Sequence, residues 1–230
     1  MDINDQPVIS YLIQRIKNEF SKETYKKQLE IFILTGNQKL NERLADVANK
    51  YGISVYFGHD LNIPLRMFDL LTKKDFDFII SVDGDDILCA PEGMRKIYDA
   101  ILAGNQYVKT IDYPFGMNSM GISKSFIGNS LKGKQNQKLE TGWGWIFDEN
   151  QCKVIKIKKM QDKRLRFTLD YPADYKFFDN IISSLDEINN LTSSEIIEYV
   201  VKKKIYLENT HLNKEYWENF NSQKLLEMNG

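Results

Sequence analysis

The chain has 230 residues, and its 31 Lys and Arg side chains nearly balance its 32 Asp and Glu side chains, for a formal net charge of -1. This balance argues against a broad nucleic-acid-binding surface, which requires a net basic stripe. Hydrophobic residues make up 42% of the chain, enough for a compact core and too many for a disordered protein. The apolar runs fall far short of the ~20 residues that span a bilayer, and no charged-then-apolar leader opens the chain. We therefore expect a cytoplasmic protein that does not contact a membrane.

The shortage of cysteine and histidine disfavours several kinds of chemistry. Cys89 and Cys152 are the only cysteines, so neither a disulfide framework nor a cysteine-rich zinc cluster can form. His59 and His211 are the only histidines, and neither has a second histidine or cysteine at metal-ligand spacing. A histidine-activated nucleophile or a zinc hydrolase is therefore disfavoured, and we expect both histidines at surface or loop positions.

Helices and strands alternate through the first half of the sequence. Apolar residues at steps of three and four predict the helices, and short apolar runs that stop at turn residues predict the strands. Pro7 is expected near the first helical position, and Gly52 at the end of the second helix. In chain order, the predicted elements are a helix from 7 to 20, a strand at 31–34, a helix at 40–51, a strand at 53–57, a helix at 64–72, a strand at 76–82 and a helix from 91 to 102.

The second half of the sequence changes in character. The predicted elements are strands at 107–111, 143–147, 154–157 and 165–169, a helix near 123–131, and helices at 172–185, about 193–203 and about 214–227. Helices between strands predict an α/β fold with a mixed, mainly parallel sheet covered by helices on both faces, followed by a C-terminal helical tail. We predict an α/β domain over 1–186 and a helical extension over 187–230.

The start of the sheet is unusual. A sheet of this kind normally begins with a strand, and the loop after that strand presents backbone amides to phosphate at the start of the next helix. Here the first helix is predicted to begin near Pro7, which leaves no room for the strand. Either the sheet lacks this strand, or the chain is shortened at its beginning.

Two acidic stretches follow predicted strands, where open parallel sheets bind their ligands. The first, Asp83–Asp86, follows an apolar strand, and Gly84 lets its backbone turn tightly. The second comprises residues 169–174 and includes Asp170 and Asp174. Carboxylates of this kind, together with nucleotide phosphates, are the ligands that Mg²⁺ prefers. The alternatives are a solvated turn for the first stretch and a helix start for the second, and the helix start is the role we expect for Asp174.

Four stretches together resemble the cytidylyltransferase family that activates acidic sugars, which includes the acylneuraminate, Kdo and spore-coat-polysaccharide types. Residues 6–15 (QPVISYLIQR) resemble the first helix of that family, and residues 79–92 resemble its metal-binding stretch. Residues 166–174 (RFTLDYPAD) resemble its second acidic stretch, and residues 209–220 resemble the tail of the spore-coat type. The resemblance implies a nucleotide-diphospho-sugar-transferase-like, Rossmann-like fold.

The resemblance also implies roles for individual residues. By resemblance, Asp85 is the catalytic residue and the first Mg²⁺ ligand, and Asp170 is the second ligand. The implied nucleotide-binding residues are Arg66, Asp83 and Gly84, and the implied sugar-binding residues are Gly116 and Asn118. The alternative for Arg66 is a charge on the surface of a helix.

The reaction implied by the resemblance joins CTP to a small, acidic sugar, giving a CMP-sugar and pyrophosphate for surface polysaccharide synthesis. Family members begin with a strand and a basic, glycine-containing loop that holds the triphosphate. This chain lacks both, so we expect weak nucleotide binding and slow or no turnover. A homodimer is the oligomer we expect if one forms, because two-fold dimers are the commonest soluble assemblies.

Two other functions stay open at this stage. Asp83-Gly84-Asp85 is an Asp-x-Asp pattern, which metal-dependent glycosyltransferases use to hold a metal and a nucleotide diphosphate. A non-catalytic remnant is the second alternative, because the first strand and its loop are missing.

Overall fold

A computed structural model describes residues 1–158 and 160–229 of the chain. The helices are α1 (Ile9–Glu19), α2 (Ser21–Tyr25), α3 (Glu42–Tyr51), α4 (Ile63–Lys74), α5 (Pro91–Leu102), α6 (Lys124–Ser130), α7 (Pro172–Ser184), α8 (Ser193–Lys203) and α9 (Leu212–Asn229). The strands are β1 (Asp2–Ile3), β2 (Gln6–Pro7), β3 (Phe32–Thr35), β4 (Ser54–Phe57), β5 (Phe78–Ser81), β6 (Tyr107–Ile111), β7 (Met120–Ser123) and β8 (Lys153–Lys156).

The described strands form three sheets: a hairpin of β1 and β2, a parallel pair that we call the smaller part of the α/β layer, and a four-stranded mixed sheet that we call its larger part. In the smaller part, β3 pairs with β4 in parallel, with Phe32 opposite Ser54. The larger part has the order β5-β7-β6-β8, in which β7 is antiparallel to both of its neighbours and β6 is parallel to β8. The predicted mixed α/β fold with a helical C-terminal region is confirmed. Among the described strands, none pairs β3 with β5, so the two parts are not joined by backbone hydrogen bonds.

The C-terminal helices share the largest hydrophobic cluster with the α/β part of the chain. Phe177, Phe178 and Ile181 on α7 are fully buried in this cluster, and Ile196 and Val200 on α8 are buried with them. Helix α8 therefore packs on the same core as α7.

Helix α1 begins two residues later than predicted. Pro7 lies in β2, which forms a two-stranded hairpin with β1, and the helix starts at Ile9. Ile3 on this hairpin is buried, and its carbonyl oxygen accepts a hydrogen bond of 3.0 Å from the Tyr11 hydroxyl. The expected cap at Gly52 is confirmed, because this glycine ends α3 in the left-handed conformation, with φ of 61°.

Two predicted strands are wrong. Residues 143–147 form a turn of 3₁₀-helix instead, in which Trp145 N–H donates to the Gly142 carbonyl and Phe147 N–H donates to that of Gly144. Gly142 has φ of 62°, which breaks the extended backbone that a strand requires. Residues 165–169 contribute only an isolated bridge, between Arg166 and Phe115.

Strand β7 is one of the elements that the sequence pattern did not predict, together with β1, β2 and α2. Its sequence, Met-Gly-Ile-Ser, does not alternate clearly, and a glycine weakens a strand prediction. The structure gives the reason for Gly121: a Cβ at this position would lie 2.3 Å from Cγ2 of Ile97 on α5. The glycine lets α5 pack closely on the middle of the sheet.

Candidate active site

The two acidic stretches meet at the carboxyl end of β5. We call Asp83–Asp86 the acidic turn and residues 169–174 the acidic segment. The backbone N–H of Leu169 donates a 3.1 Å hydrogen bond to the carbonyl of Asp85, which ties the segment to the turn. Asp83, Asp85 and Asp170 line the same cavity. Two regions more than 80 positions apart in sequence are thus brought together by the sheet.

The carboxylates of this site perturb one another. Burial is the main cause that raises the pKa of Asp85, and the neighbouring charge of Asp83 raises it further. Asp170 has a raised pKa for the same reasons, with Asp85 as the repelling neighbour. Asp83 is exposed to the cavity, but surrounding protein and the charge of Asp170 raise its pKa too. A bound cation would relieve this repulsion between like charges.

Arg166 holds the acidic segment in position. Its side chain is fully buried, and Nη2 donates to Oδ2 of Asp170 and to Oδ2 of Asp174, while Nε donates to Oδ1 of Asp174 at 2.9 Å. Asp174 also accepts from the backbone N–H groups of Asp170 and Tyr171 at 3.1 and 3.0 Å. Asp174 thus has the predicted role at the start of α7, and in addition it is the buried partner of an arginine.

The donor set at this site suits a magnesium ion that is bound together with a phosphate. Mg²⁺ commonly takes one or two carboxylates and completes its shell with water and substrate oxygens. Oδ2 of Asp170 accepts from Arg166 and from Thr168, whereas Oδ1 takes part in neither bond. Within residues 1–158 and 160–229, no group of three His, Cys, Asp or Glu side chains forms a ready-made metal cage. Asp85 and Asp170 are two carboxylates that line one cavity, which is the number that Mg²⁺ commonly takes from a protein when it is bound with a nucleotide.

The cavity beside these carboxylates has a volume of about 1370 Å³. Gly84 lines it with the acidic residues, and so does Arg66 on α4. Arg66 is 9% exposed and donates to the carbonyl of Asp60, and burial lowers its pKa. It is therefore a buried cation on the cavity wall, and the alternative of a surface charge on a helix is wrong.

Gly116 and Asn118 are placed differently from the other predicted site residues. Neither is among the residues that line the cavity. Gly116 has φ of 84°, and a Cβ there would lie 2.3 Å from the carbonyl oxygen of Phe167, so the close approach that it permits is to the protein's own backbone. The Asn118 side chain donates to the carbonyls of Tyr113 and Pro114 within its own turn. In the structure both residues shape the turn against which residues 165–169 pack.

The sequence interpretation missed a group of aromatic side chains that line the cavity, which we call the aromatic wall. Its members are Phe115, Tyr216, Trp217 and Phe220. The rings of Tyr216 and Trp217 lie 4.9 and 5.0 Å from that of Phe115, and the Arg166 guanidinium lies 4.5 Å from the centre of the Tyr216 ring. Burial raises the pKa of Tyr216, with Asp170 and Asp85 adding to the shift. The available signal was the spacing of the aromatics on α9, because Phe220 is four residues after Tyr216 and three after Trp217, and such pairs are neighbours on a helix surface.

Two buried polar contacts fix the C-terminal region to this site. Asn209 donates from Nδ2 to the carbonyl of Arg166 at 3.0 Å and to Oδ1 of Asp174 at 2.9 Å. Near the end of α9, Oε2 of Glu227 accepts from the backbone N–H groups of Glu140 and Thr141. The helical tail is thereby joined to the acidic segment at one end and to a cavity-lining loop at the other.

The fold of this chain is similar to that of a solved cytidylyltransferase. The chain is similar to a cytidylyltransferase from Leptospira borgpetersenii serovar Hardjo-bovis, with a TM-score of 0.77 over 91% of this chain and 89% of that one, at 16% sequence identity. It is also 22% identical over 208 residues to an uncharacterised protein of Methanocaldococcus jannaschii, which covers 88% of this chain and 83% of the relative. No family model matches the sequence.

Among the described residues, no helix has the length and apolar character needed to cross a membrane.

Proposed function

We propose that this protein is a nucleotidyltransferase that activates a sugar with CTP, giving a CMP-sugar and pyrophosphate in the cytoplasm. The observation that carries this proposal is the meeting of Asp85 and Asp170 on one wall of a large cavity. The fold shared with a cytidylyltransferase supports it. The motif resemblances of the acidic turn and the acidic segment support it as well.

In this proposal, the protein acts mainly by positioning and by charge stabilisation. Asp85 and Asp170 would hold Mg²⁺, which, when bound, would neutralise charge on the phosphate oxygens. Arg166 keeps Asp170 in place through the buried bonds described above. A sugar hydroxyl oxygen forms a bond to the α-phosphorus of CTP, the bond from that phosphorus to the bridging oxygen breaks, and pyrophosphate leaves. The hydroxyl proton passes to solvent water.

The aromatic wall and two basic residues suggest how the substrates are held. Flat aromatic faces of Tyr216 and Phe220 offer a packing surface for the apolar side of a sugar or a base. Arg66 and Lys224 are the basic side chains among the described residues that line the cavity. We propose an acidic sugar, as in the acylneuraminate, Kdo and spore-coat-polysaccharide types, and a role in surface polysaccharide synthesis. Because the described residues that line the cavity include just these two basic side chains, we also propose that this chain binds the triphosphate weakly.

Pyrophosphate release tests the proposal directly. The chain is incubated for long periods with CTP, UTP or GTP and with several acidic or neutral sugars, with and without Mg²⁺. We expect slow release that requires CTP, Mg²⁺ and an acidic sugar, and a loss of at least about 100-fold in Asp85→Asn and Asp170→Asn, the size typical of removing an electrostatic catalytic group. Asp46→Asn is the matched control, because Asp46 is exposed on α3 and does not line the cavity.

A metal-dependent glycosyltransferase is the second candidate, favoured by one observation. Asp83, Gly84 and Asp85 line the cavity together, which is the placement that an Asp-x-Asp metal site requires. Hydrolysis of a nucleotide-sugar, without pyrophosphate release from any nucleoside triphosphate, would support this candidate and contradict the first. No metal-dependent thermal shift with any nucleotide would contradict both and support a non-catalytic protein.

A further inference from the structure

Helix α9 presents one row of side chains to the cavity, which we call the α9 stripe. Its members are Tyr216, Trp217, Asn219, Phe220, Gln223 and Lys224, all of which line the cavity. Positions three, four, seven and eight apart share one face of a helix, and eight positions correspond to about 12 Å along its axis. The stripe begins at the proposed metal site, because the centre of the Tyr216 ring lies 4.5 Å from the Arg166 guanidinium that holds Asp170. It ends at Lys224.

The side chain of Lys224 is positioned by a close contact with a glycine. Gly142 has φ of 62°, and a Cβ at this position would lie 2.9 Å from Cδ of Lys224. The methylene stem of Lys224 therefore lies directly on the loop backbone. The same loop is joined to α9 on both sides of this contact, because Gln223 accepts from the hydroxyl of Thr141 at 3.3 Å and Glu227 accepts from its backbone N–H at 2.9 Å. The ammonium group thus extends from a fixed point on the cavity wall.

Among the described residues, Lys224 is the cavity-lining cation that no carboxylate pairs with. It is half-buried, and within residues 1–158 and 160–229 it forms no salt bridge with an Asp or Glu side chain. Arg66, the other basic side chain on the wall, already donates to the Asp60 carbonyl at 3.3 Å. Burial lowers the pKa of Arg66, and the nearby negative charges of Glu140 and Asp60 oppose this shift. Lys224 is therefore the cation that remains available to a negatively charged ligand.

The rest of the α9 stripe indicates what else such a ligand carries. The rings of Tyr216 and Phe220 lie side by side, with centres 6.0 Å apart and planes 22° from parallel, and they offer a flat apolar surface. Asn219 and Gln223 line the cavity beside these rings, and side-chain amides both donate and accept hydrogen bonds. A triphosphate brings several charges and no apolar face, so one ammonium group beside two rings suits it poorly. A ring with one carboxylate, several hydroxyl groups and an apolar face suits the stripe well.

We propose that α9 is the sugar-recognition element of this protein, and that Lys224 selects an acidic sugar by pairing with its carboxylate. The sugar ring would lie on Tyr216 and Phe220, with its reacting hydroxyl toward Asp170. Side chains on a helix lean toward its N-terminus, so Lys224 is directed back along the stripe toward the bound sugar. This inference rests on the proposed function and deepens it, because it assigns the choice of an acidic sugar to one residue outside the acidic turn and the acidic segment.

The test compares Lys224→Met with two other variants. Methionine keeps an apolar stem on Gly142 and removes the charge, whereas Lys224→Arg keeps the charge. Lys214→Met is the matched control, because the side chain of Lys214 is on the same helix, is 86% exposed and does not line the cavity. The probes are N-acetylneuraminate, Kdo and glucuronate, each compared with its methyl ester, which has the same ring and no charge. Dissociation constants are measured by ligand-observed NMR with Mg²⁺ and CMP, so this readout requires no turnover.

We expect at least one of the three acids to bind the natural chain about tenfold or more tightly than its methyl ester, the effect of one charge-assisted contact. Lys224→Met should lose this preference, while Lys224→Arg and Lys214→Met should keep it. A preference for the acid that survives in Lys224→Met would overturn the proposal. A natural chain that prefers none of the three acids to its ester would overturn it as well.

Michaelis constants separate this inference from the proposed function. In the pyrophosphate-release assay, we expect Lys224→Met to raise KM for the acidic sugar by about tenfold or more and to leave KM for CTP unchanged. A raised KM for CTP alone would overturn the inference and leave the proposed function standing, because Lys224 would then hold the triphosphate. Acid binding that depends on Lys224, in a chain that releases no pyrophosphate, would support the role of Lys224 and contradict nucleotidyl transfer.

Discussion

The position of Asp170, at the scale of single residues, depends on Arg166. Its guanidinium is buried between Asp170 and Asp174 and lies over the Tyr216 ring. A buried arginine that has two carboxylate partners is stabilised by charge-assisted hydrogen bonds. Arg166 therefore fixes one proposed metal ligand and one aromatic ring of the cavity at the same time.

The raised pKa of the buried carboxylates in the acidic turn should make the stability of the fold depend on pH. The pKa of Asp85 is raised in the folded chain, so the folded state holds this proton more tightly than the unfolded chain does. Its contribution to stability is then present at low pH and is lost as the pH rises from the unfolded value of about 3.9 through the raised folded value. In metal-free buffer, we expect Asp85→Asn to lose less thermal stability than the natural chain over this rise. Unfolding followed by circular dichroism checks this, and equal losses in both proteins would contradict it.

Gly116 offers a second prediction at this scale. Gly116→Ala should destabilise the fold by about 2–4 kcal/mol, because strain at positive φ adds to overpacking against the backbone of Phe167. Gly133→Ala is the matched control, since Gly133 has φ of 76° and nothing within 4 Å of a Cβ. We expect about 1 kcal/mol for that change. Urea unfolding measures both, and similar losses in the two variants would show that the contact with Phe167 is unimportant.

At the scale of elements, the anchoring of the C-terminal helices can be tested through Asn209. Asn209→Ala leaves the buried Oδ1 of Asp174 and the carbonyl of Arg166 without this donor, which should destabilise the fold by about 1–3 kcal/mol. Asn221→Ala is the control, because Asn221 is exposed in the middle of α9 and alanine favours helix there, so we expect no loss. A free energy of unfolding that is unchanged in Asn209→Ala would mean that the tail is held by its apolar contacts alone.

Elements with strong local signals were predictable, and those defined by tertiary contacts were not. Proline at the start and a steady apolar period correctly predicted α5, and α8 was predicted with the bounds that the structure has. Strand β7 depends on Gly121 fitting beneath α5, and the turn at 143–147 depends on Gly142 at positive φ, neither of which the apolar pattern reveals.

The same distinction between local signals and tertiary contacts applies to the residues of the candidate active site. The acidic turn could be found because it follows an apolar strand, and the acidic segment because it precedes a proline-led helix. The aromatic wall could not be found, because Phe115 meets Tyr216 only after α9 folds back over the sheet. Gly116 and Asn118 were implied as sugar-binding residues by the family resemblance, and their neighbours in space show a role in shaping their own turn.

At the scale of the whole molecule, we expect the small number of basic side chains in the cavity to limit the affinity for a nucleotide. Among the described residues that line the cavity, Arg66 and Lys224 are the basic ones, and each charge-assisted bond to a triphosphate contributes about 1.5–3 kcal/mol. We expect CTP with Mg²⁺ to bind this chain with a dissociation constant weaker than about 100 µM, consistent with so few bonds. Isothermal titration calorimetry checks this, and micromolar affinity would contradict it.

The most direct measurement is the location of a metal ion in crystals grown with Mn²⁺, which replaces Mg²⁺, and with CTP at millimolar concentration. The account predicts an anomalous-scattering peak that the carboxylates of Asp85 and Asp170 share, with metal–oxygen distances of about 2–2.5 Å. A peak bound elsewhere in the molecule, or carboxylates too far apart to share one ion in the presence of bound nucleotide, would contradict it.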